Sequence, residues 1–494
     1  MNAAGAGQAR QESPLGTGDP ELERARPTDG GRVTDRSRPA GDSRAAGDAL
    51  AADSGRAGGW PGGSRRRGPD WRGRARGWLR RSWAVWLITG AAWAMAAALI
   101  TYMIYCALTN PGHLRMPDLA VYRTGGEAVR HGSGLYTTLT NGKLLFTYPP
   151  VSGVLAVPLT WVPAQAARAA WMLMVYLPLG VVGWLAFRPL LRRAGRYAPA
   201  VFGVLVTCGT LLTPMRQEVH YGQIDIFLVA LCALDCLTRR PRWPRGALIG
   251  LATAIKLVPG VFVIYLLLTG RRKAAAVAAG SFAAWTGLAW LIAPGASLHY
   301  WTSAVFNARR LGQNAQAANQ SLNGMLLRAF FPHPPPAVLW IAVALLVAVA
   351  GFAAARLVSR RGFETGAVAI TGLLAALLSP VAWVHHYCWI ILAIGAIAGD
   401  GRRERRVITA IVAAGLFMSV MPIFGGYLLF THLTPELPAL ILQDAFGLAA
   451  LGLIWIMFRI RVSSSDQWLP AAVGTAGARD PAAGQAAVPA RTAR

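Results

Sequence analysis

The chain reads as an all-α, polytopic membrane protein, and three observations carry that reading. Apolar runs of roughly 20 residues, the length an α-helix needs to cross a bilayer, recur along most of the sequence. Hydrophobic residues make up 54% of the chain and charged residues only 14%. A water-soluble fold would then need about ten core helices with no polar face, which globular packing does not support. Finally, the basic residues gather in short loops between the apolar runs, where the positive-inside rule expects cytoplasmic loops. The net charge of +27 therefore reports topology and gives no reason to invoke a nucleic-acid partner.

Residues 1–82 are rich in Gly, Ala, Pro, Arg and Asp with little aliphatic periodicity, so they are expected to form a disordered, basic cytoplasmic tail. Arg65, Arg66, Arg67, Arg80 and Arg81 abut the first apolar run, with Trp71, Trp78, Trp83 and Trp86 interleaved. That arrangement suits a start anchor whose N-terminus stays in the cytoplasm. A cleavable signal is not expected, because the apolar run is long and begins late. From there the pattern predicts spans at 83–108, 166–187, 198–213, 224–238, 274–293, 336–357, 366–380, 386–400, 406–424 and 437–459. Two further apolar segments, 149–163 and 246–269, carry prolines or a mid-segment lysine. Counting them as full spans would place the basic loops 188–196 and 239–245 on the wrong side, so broken or re-entrant elements are predicted there, about 10–13 helices in all. The membrane body covers 83–461, and residues 462–494 form a second cytoplasmic tail.

This sidedness sorts the polar residues. All eight histidines (His113, His131, His220, His299, His333, His385, His386, His432) fall in outer loops or at outer helix ends, as do the long loops 109–148 and 295–335, so the working face is extracytoplasmic. The five cysteines lie in or beside apolar segments with no metal or redox spacing and read as packing residues. Of the carboxylates after Trp83, topology leaves Asp118, Glu127, Glu218, Asp225, Glu436 and Asp444 on the outer side. Lys256 is one of three lysines in the chain; mid-segment, it needs a partner or a water-filled cavity.

Four segments recur in order along this outer face: Met116-Pro-Asp-Leu-Ala-Val-Tyr122 with Phe146-Thr-Tyr-Pro-Pro150, then Gly222-Gln-Ile-Asp225, Ala254-Ile-Lys256-Leu-Val-Pro259 and Ser379-Pro-Val-Ala-Trp-Val-His-His386. Together they resemble the polyprenyl-phosphate-mannose-dependent α-1,2-mannosyltransferases of glycosyltransferase family 87, within the GT-C superfamily, over roughly 83–461. The resemblance implies an extracytoplasmic, inverting hexosyltransferase that moves a sugar, mannose above all, from a polyprenyl phosphate donor to a glycolipid or polysaccharide acceptor. It implies Asp118 as the catalytic base; the competing reading is an N-cap of a short helix beginning at Leu119. It also implies an asparagine where this chain has Asp225, leaving that residue either neutral, paired with Arg216, or a substrate contact.

Such a transfer needs a base for the acceptor hydroxyl and positive charge or hydrogen-bond donors for the departing phosphate. Lys256, His385, His386 and Arg216 are the candidates for the phosphate, and Tyr122, Tyr148, His220, Gln223, Asp225, Asn319 and Asn323 for the substrates. For Lys256 a structural ion pair is the alternative, and for Asn319 and Asn323 an ordinary polar loop. No cofactor is required and no metal ligands are assigned, because no third ligand stands near the histidine pair in sequence; a divalent metal is not excluded. Within the class, an arabinofuranosyl or other polyprenyl-phosphate-sugar transferase is the alternative. Outside it, a transporter would need repeat symmetry that the sequence does not display.

Overall fold

The computed structural model describes residues 71–109, 116–307, 314–431, 433 and 435–462. The expectations for both tails as far as residues 70 and 463, and for His113 and His432, lie outside the described residues. The first helix, α1 (Trp71–Thr109), starts well before the expected span at 83, so 71–82 is helical and not part of the tail. The amphipathic α2 (Pro117–His131) follows, with Pro117 in its first turn. Then comes a two-stranded hairpin, β1 (Leu139–Thr140) and β2 (Leu144–Leu145), closed by Asn141 and Gly142 at φ 51° and 69°, the left-handed pair that tight hairpins favour.

The segment 149–163 becomes α3 (Pro150–Ala156) and a 3-10 turn, too short to cross a bilayer. Arg123 of α2 ties it down by donating to the carbonyls of Leu159 and Val162 at 2.6 and 2.7 Å. The chain continues as α4 (Ala164–Ala186), α5 (Arg188–Ala194), α6 (Ala198–Leu211), α7 (Thr213–Tyr221) and α8 (Asp225–Leu237). The bend of 70° into α7 falls at Thr213-Pro214, since proline cannot donate to the preceding turn.

The segment 246–269 is a re-entrant hairpin, as its proline and lysine predict. It comprises α9 (Ala247–Ile255), a break at Lys256, and α10 (Val261–Leu268), before α11 (Arg272–Ile292). A Cβ on Gly246 would meet the Ala274 carbonyl oxygen at 2.0 Å, and one on Gly250 the Ala278 carbonyl oxygen at 2.4 Å. The starts of α9 and α11 therefore run alongside each other in the same direction, and α10 brings the chain back. Carboxylates fix both feet. Asp235 accepts the Gly246 and Ile249 N–H groups at 2.9 and 3.1 Å, and Glu364 accepts from Tyr265 and Arg271.

The remaining helices are α12 (Pro294–Thr302), α13 (Leu322–Ala329), α14 (Ala337–Arg360), α15 (Glu364–Leu378), α16 (Ile390–Ala398, entered through a 3-10 turn at Val384–Trp389), α17 (Glu404–Met418), α18 (Met421–Thr431), α19 (Glu436–Gln443) and α20 (Ala445–Arg459). Every one of the ten expected spans is helical. Only four helices are long and apolar enough to cross a membrane alone, or seven if each of three bent pairs is one span. α15 and α16 are buried almost throughout and form the centre of the bundle. α1, α11 and α14 expose Trp86, Leu291, Leu346 and Val349, apolar surface suited to lipid. The protein is a multi-pass, all-α membrane protein.

The basic loops meet at one end of this bundle. Arg193 donates to the Asp400 carbonyl at 3.1 Å, Arg361 to that of Phe458 at 2.8 Å, and Arg271 pairs with Glu364. Arg403, Arg405, Arg406 and Arg461 line one shared cavity, and Arg188 lies within electrostatic reach of Arg239. α8 leads away from this end: its last turn carries Asp235, bonded to Trp243 at 3.1 Å, and its first residue is Asp225. Ten residues of helix separate them, roughly 15 Å at 1.5 Å per residue.

Candidate active site

At the far end from the basic loops, four of the sequence segments converge. Asp118 sits in the first turn of α2, after Met116 in a left-handed conformation (φ 47°). Helix α2 begins at Pro117 and no side chain caps it, so Asp118 is not the N-cap that the competing reading required. What seats α2 is Gly222, at φ 71°, where a Cβ would meet the Leu119 Cβ at 2.8 Å. Only glycine permits both that conformation and that approach.

Gln223, next in the chain, organises the surroundings of Asp118. Its side-chain oxygen accepts from Tyr122 at 3.0 Å and Tyr148 at 3.4 Å, and its side chain hydrogen-bonds Asp118. Burial pushes the Asp118 carboxyl up to about 6, against the lowering pull of the Gln223 bond and the Lys256 charge, while nearby Asp225 raises it further. A carboxylate just below neutrality is ionised at pH 7 yet basic enough to accept a proton. Burial likewise raises the Tyr122 and Tyr148 hydroxyls, keeping both as donors.

Lys256 is the extended residue at the hairpin tip (φ −148°), held there by Ser152 of α3, which donates to the Ile255 carbonyl at 2.5 Å. Its ammonium lies 2.9 Å from each Asp225 oxygen and 2.8 Å from His386 Nε2, with the Tyr148 ring centroid 5.7 Å away. The expected pairing of Asp225 with Arg216 is corrected: Lys256 takes the carboxylate, and Arg216 is exposed on α7 in no ion pair among the described residues. Both histidines of the pair face the cluster, with His385 and His386 Nε2 each 3.9 Å from Asp225 Oδ2. Adjacent residues of a 3-10 turn point about 120° apart, yet the two ring centroids stand 4.7 Å apart and both rings reach Asp225. Neither ring nitrogen of His385, nor Nδ1 of His386, has a hydrogen-bond partner among the described residues. Buried imidazoles in that state are ready for an anion. His220 packs edge-on against Tyr221, which packs against His385, so it stands one ring removed from the cluster.

Asn319 is reassigned. It is fully buried, its side-chain oxygen accepts the Ala382 and Ser321 N–H groups at 2.9 and 3.2 Å, and its amide nitrogen donates to Asn314 at 2.8 Å. With these bonds to backbone it clamps the histidine-bearing segment. Asn323 donates to the Pro380 carbonyl at 3.1 Å and shares that role. Gln320 extends the clamp: its backbone donates to Ala382 at 2.7 Å and its side-chain oxygen accepts the Phe446 and Gly447 N–H groups at the start of α20, both at 3.1 Å. Asp444, a candidate base by topology, is paired with Arg328 at 2.7 Å. Glu127 is exposed and 3.8 Å from Arg123. Glu218 is buried, accepting the Ile226 N–H at 3.1 Å with its second oxygen unpartnered among the described residues. One support had no signal in the sequence: Trp171, from an unremarkable apolar span, which donates to the Gln223 carbonyl at 3.2 Å.

Asp225, His385 and His386 offer one ligand atom each within 4.8 Å of one another, so the third ligand lacking in sequence is present in space. An ammonium stands among them.

A buried carboxyl, a lysine–aspartate ion pair and two imidazoles gathered at one end of a helical membrane bundle are the kinds of group that an integral-membrane group-transfer enzyme uses. The chain belongs to glycosyltransferase family 87, whose sequence profile matches residues 146–380. It is similar, at 33% identity over 340 residues covering 65% of this chain and 78% of the relative, to the polyprenol-phosphate-mannose-dependent alpha-(1-2)-phosphatidylinositol mannoside mannosyltransferase of Mycobacterium tuberculosis. It is similar, at 30% identity over 57% of this chain and 69% of the relative, to the corresponding pentamannoside mannosyltransferase of Mycolicibacterium smegmatis. Among solved structures, ArnT from Cupriavidus metallidurans bound to undecaprenyl phosphate aligns over 74% of this chain and 76% of its own, at 16% identity and a TM-score of 0.36, a likeness too distant to carry an argument. The enzyme is a membrane glycosyltransferase.

Proposed function

We propose that this glycosyltransferase moves mannose from a polyprenyl phosphate carrier to a mannoside headgroup of a glycolipid, forming an α-1,2 linkage with inversion on the extracytoplasmic face. The observation that carries the reading is the placement of Asp118 and Lys256 in one cluster, with Gln223 beside the carboxyl and Asp225 bound to the ammonium. The named substrates of the relatives support the donor and acceptor classes. The gathering of arginines at the opposite end of the bundle supports the sidedness.

In the transfer, Asp118 accepts the acceptor hydroxyl proton as that oxygen bonds to the anomeric carbon. The bond from that carbon to the phosphate oxygen breaks, its electron pair leaves with the phosphate, and the carrier gains one negative charge. No general acid is needed, because a phosphate departs as an anion. The developing charge meets Lys256 and the ring nitrogens of His385 and His386 that have no hydrogen-bond partner among the described residues, groups already in place before reaction. Lys256 has all three N–H bonds engaged, so donor binding requires one of them to pass from Asp225 or His386 to a phosphate oxygen.

The test is incubation of the purified protein with polyprenyl phosphates bearing mannose, glucose or arabinose and with mannosylated or bare phosphatidylinositol, followed by product mass and linkage analysis. Mannose addition to a mannosylated lipid is the expected product. Exclusive transfer of a pentose, or transfer only to polysaccharide, contradicts the reading.

A further inference from the structure

We infer that Asp225, His385 and His386 form a cation site whose resident cation is the Lys256 ammonium, and which takes a divalent transition metal of the zinc or cobalt type once that ammonium is removed. Two imidazoles and a carboxylate are the donor set such ions favour in three-ligand sites. All three residues are buried, their ligand atoms lie within 4.8 Å of one another, and neither ring nitrogen of His385 has a hydrogen-bond partner among the described residues.

Geometry decides which cation is resident. A zinc or cobalt ion bound at about 2.0–2.1 Å holds tetrahedral ligands roughly 3.4 Å apart. Here Asp225 Oδ2 stands 3.9 Å from each Nε2, which is too open for the metal. The ammonium reaches both Asp225 oxygens at 2.9 Å and His386 at 2.8 Å, ordinary hydrogen-bond lengths that use its three protons. Lysine thus supplies in cis the positive charge that a metal would otherwise bring to the phosphate. Deleting the side chain beyond Cβ leaves a carboxylate and two imidazoles around a vacated volume, and a shift of about 0.5 Å closes them on a metal.

The inference rests on the transferase reading only for its activity arm. Full-length wild-type protein and Lys256→Ala, Lys256→Met and Lys256→Ala/His385→Ala variants are stripped with chelator in nanodiscs and titrated with Co²⁺. Visible ligand-field absorption reports binding, and thermal unfolding reports folding. Lys256→Ala should bind one Co²⁺ per chain and gain thermal stability from it. Wild type, Lys256→Met (whose stem fills the volume) and the double variant should bind none, and wild-type transfer should survive chelation. A folded Lys256→Ala that binds no Co²⁺ overturns the inference. So does wild-type transfer that is lost on chelation and restored by a divalent ion, an arm that stands even if the alanine variant fails to fold. Absence of transfer from every polyprenyl donor would sink the function while leaving the cobalt measurement intact.

Discussion

Replacing Lys256 by methionine tests whether the lysine serves the donor or merely balances Asp225. The ammonium contacts both Asp225 oxygens at 2.9 Å and His386 at 2.8 Å, with the two partner side chains only 12% and 11% exposed. Removing one member of such a buried pair leaves an uncompensated charge, which costs about 3–5 kcal/mol of stability. Neutralising the other member in Lys256→Met/Asp225→Asn should recover most of that loss. Donor use should behave differently, because the phosphate still lacks its cation. One charge-assisted contact is worth about 1.5–3 kcal/mol, or roughly 10- to 150-fold in donor dependence. The assay is thermal unfolding in detergent alongside initial transfer rate against donor concentration, for both single variants and the double. Recovery of stability without recovery of donor use supports the phosphate role. A double variant that regains both refutes it and leaves Lys256 a structural counter-ion.

Transfer should fall about tenfold per pH unit below about 6, as Asp118 protonates; a flat kcat/KM profile between pH 5 and 7 would contradict that. Gln223→Leu removes a bond that holds the Asp118 carboxyl down, so the same limb should move to higher pH, and an unmoved limb would disconnect Gln223 from the base. Gln320→Ala strips the bonds to Phe446 and Gly447, and should lower thermal stability by about 1–3 kcal/mol while slowing turnover more than it weakens donor use. In a background lacking the five native cysteines, Asn141→Cys should label with an impermeant reagent in intact cells and Arg242→Cys should not; the reverse pattern would invert the topology.

Helices were legible because apolar length and basic loops are one-dimensional properties: all ten spans fall in helical segments, although 406–424 and 437–459 break into helix pairs bent by 54° and 67°, and the proline and lysine in 246–269 announce its hairpin. The bends were harder to read, since what closes the break at Asp444 is Gln320 at the start of α20, far away in sequence. Asp118 could be singled out by topology and resemblance, but not its elevated basicity, which comes from burial against the lowering pull of Gln223 and Lys256. A mid-segment lysine announces that it has a partner without saying which. Asp225 lies 31 residues from Lys256, joined to it only when the hairpin tip meets the start of α8, so Arg216 was the nearer but incorrect choice. Asn319 carries the groups a sugar wants, and only the fold reveals that the Ala382 backbone uses them. The helical start at 71–82 was not legible, since its composition matches a tail.

The central claim is that Asp118 is the base, and Asp118→Asn measures it most directly because shape and hydrogen bonding persist while basicity does not. Loss of a general base typically costs about 10²–10⁴-fold in rate, with donor and acceptor binding little changed, since the interaction grows in the transition state. The comparison is initial transfer rate for wild type, Asp118→Asn and Asp118→Ala, on protein matched for thermal stability. The account predicts that both variants fall into that range together with unaltered donor affinity. Near-normal turnover in the asparagine variant would contradict it and shift the search to Glu218 or Asp225.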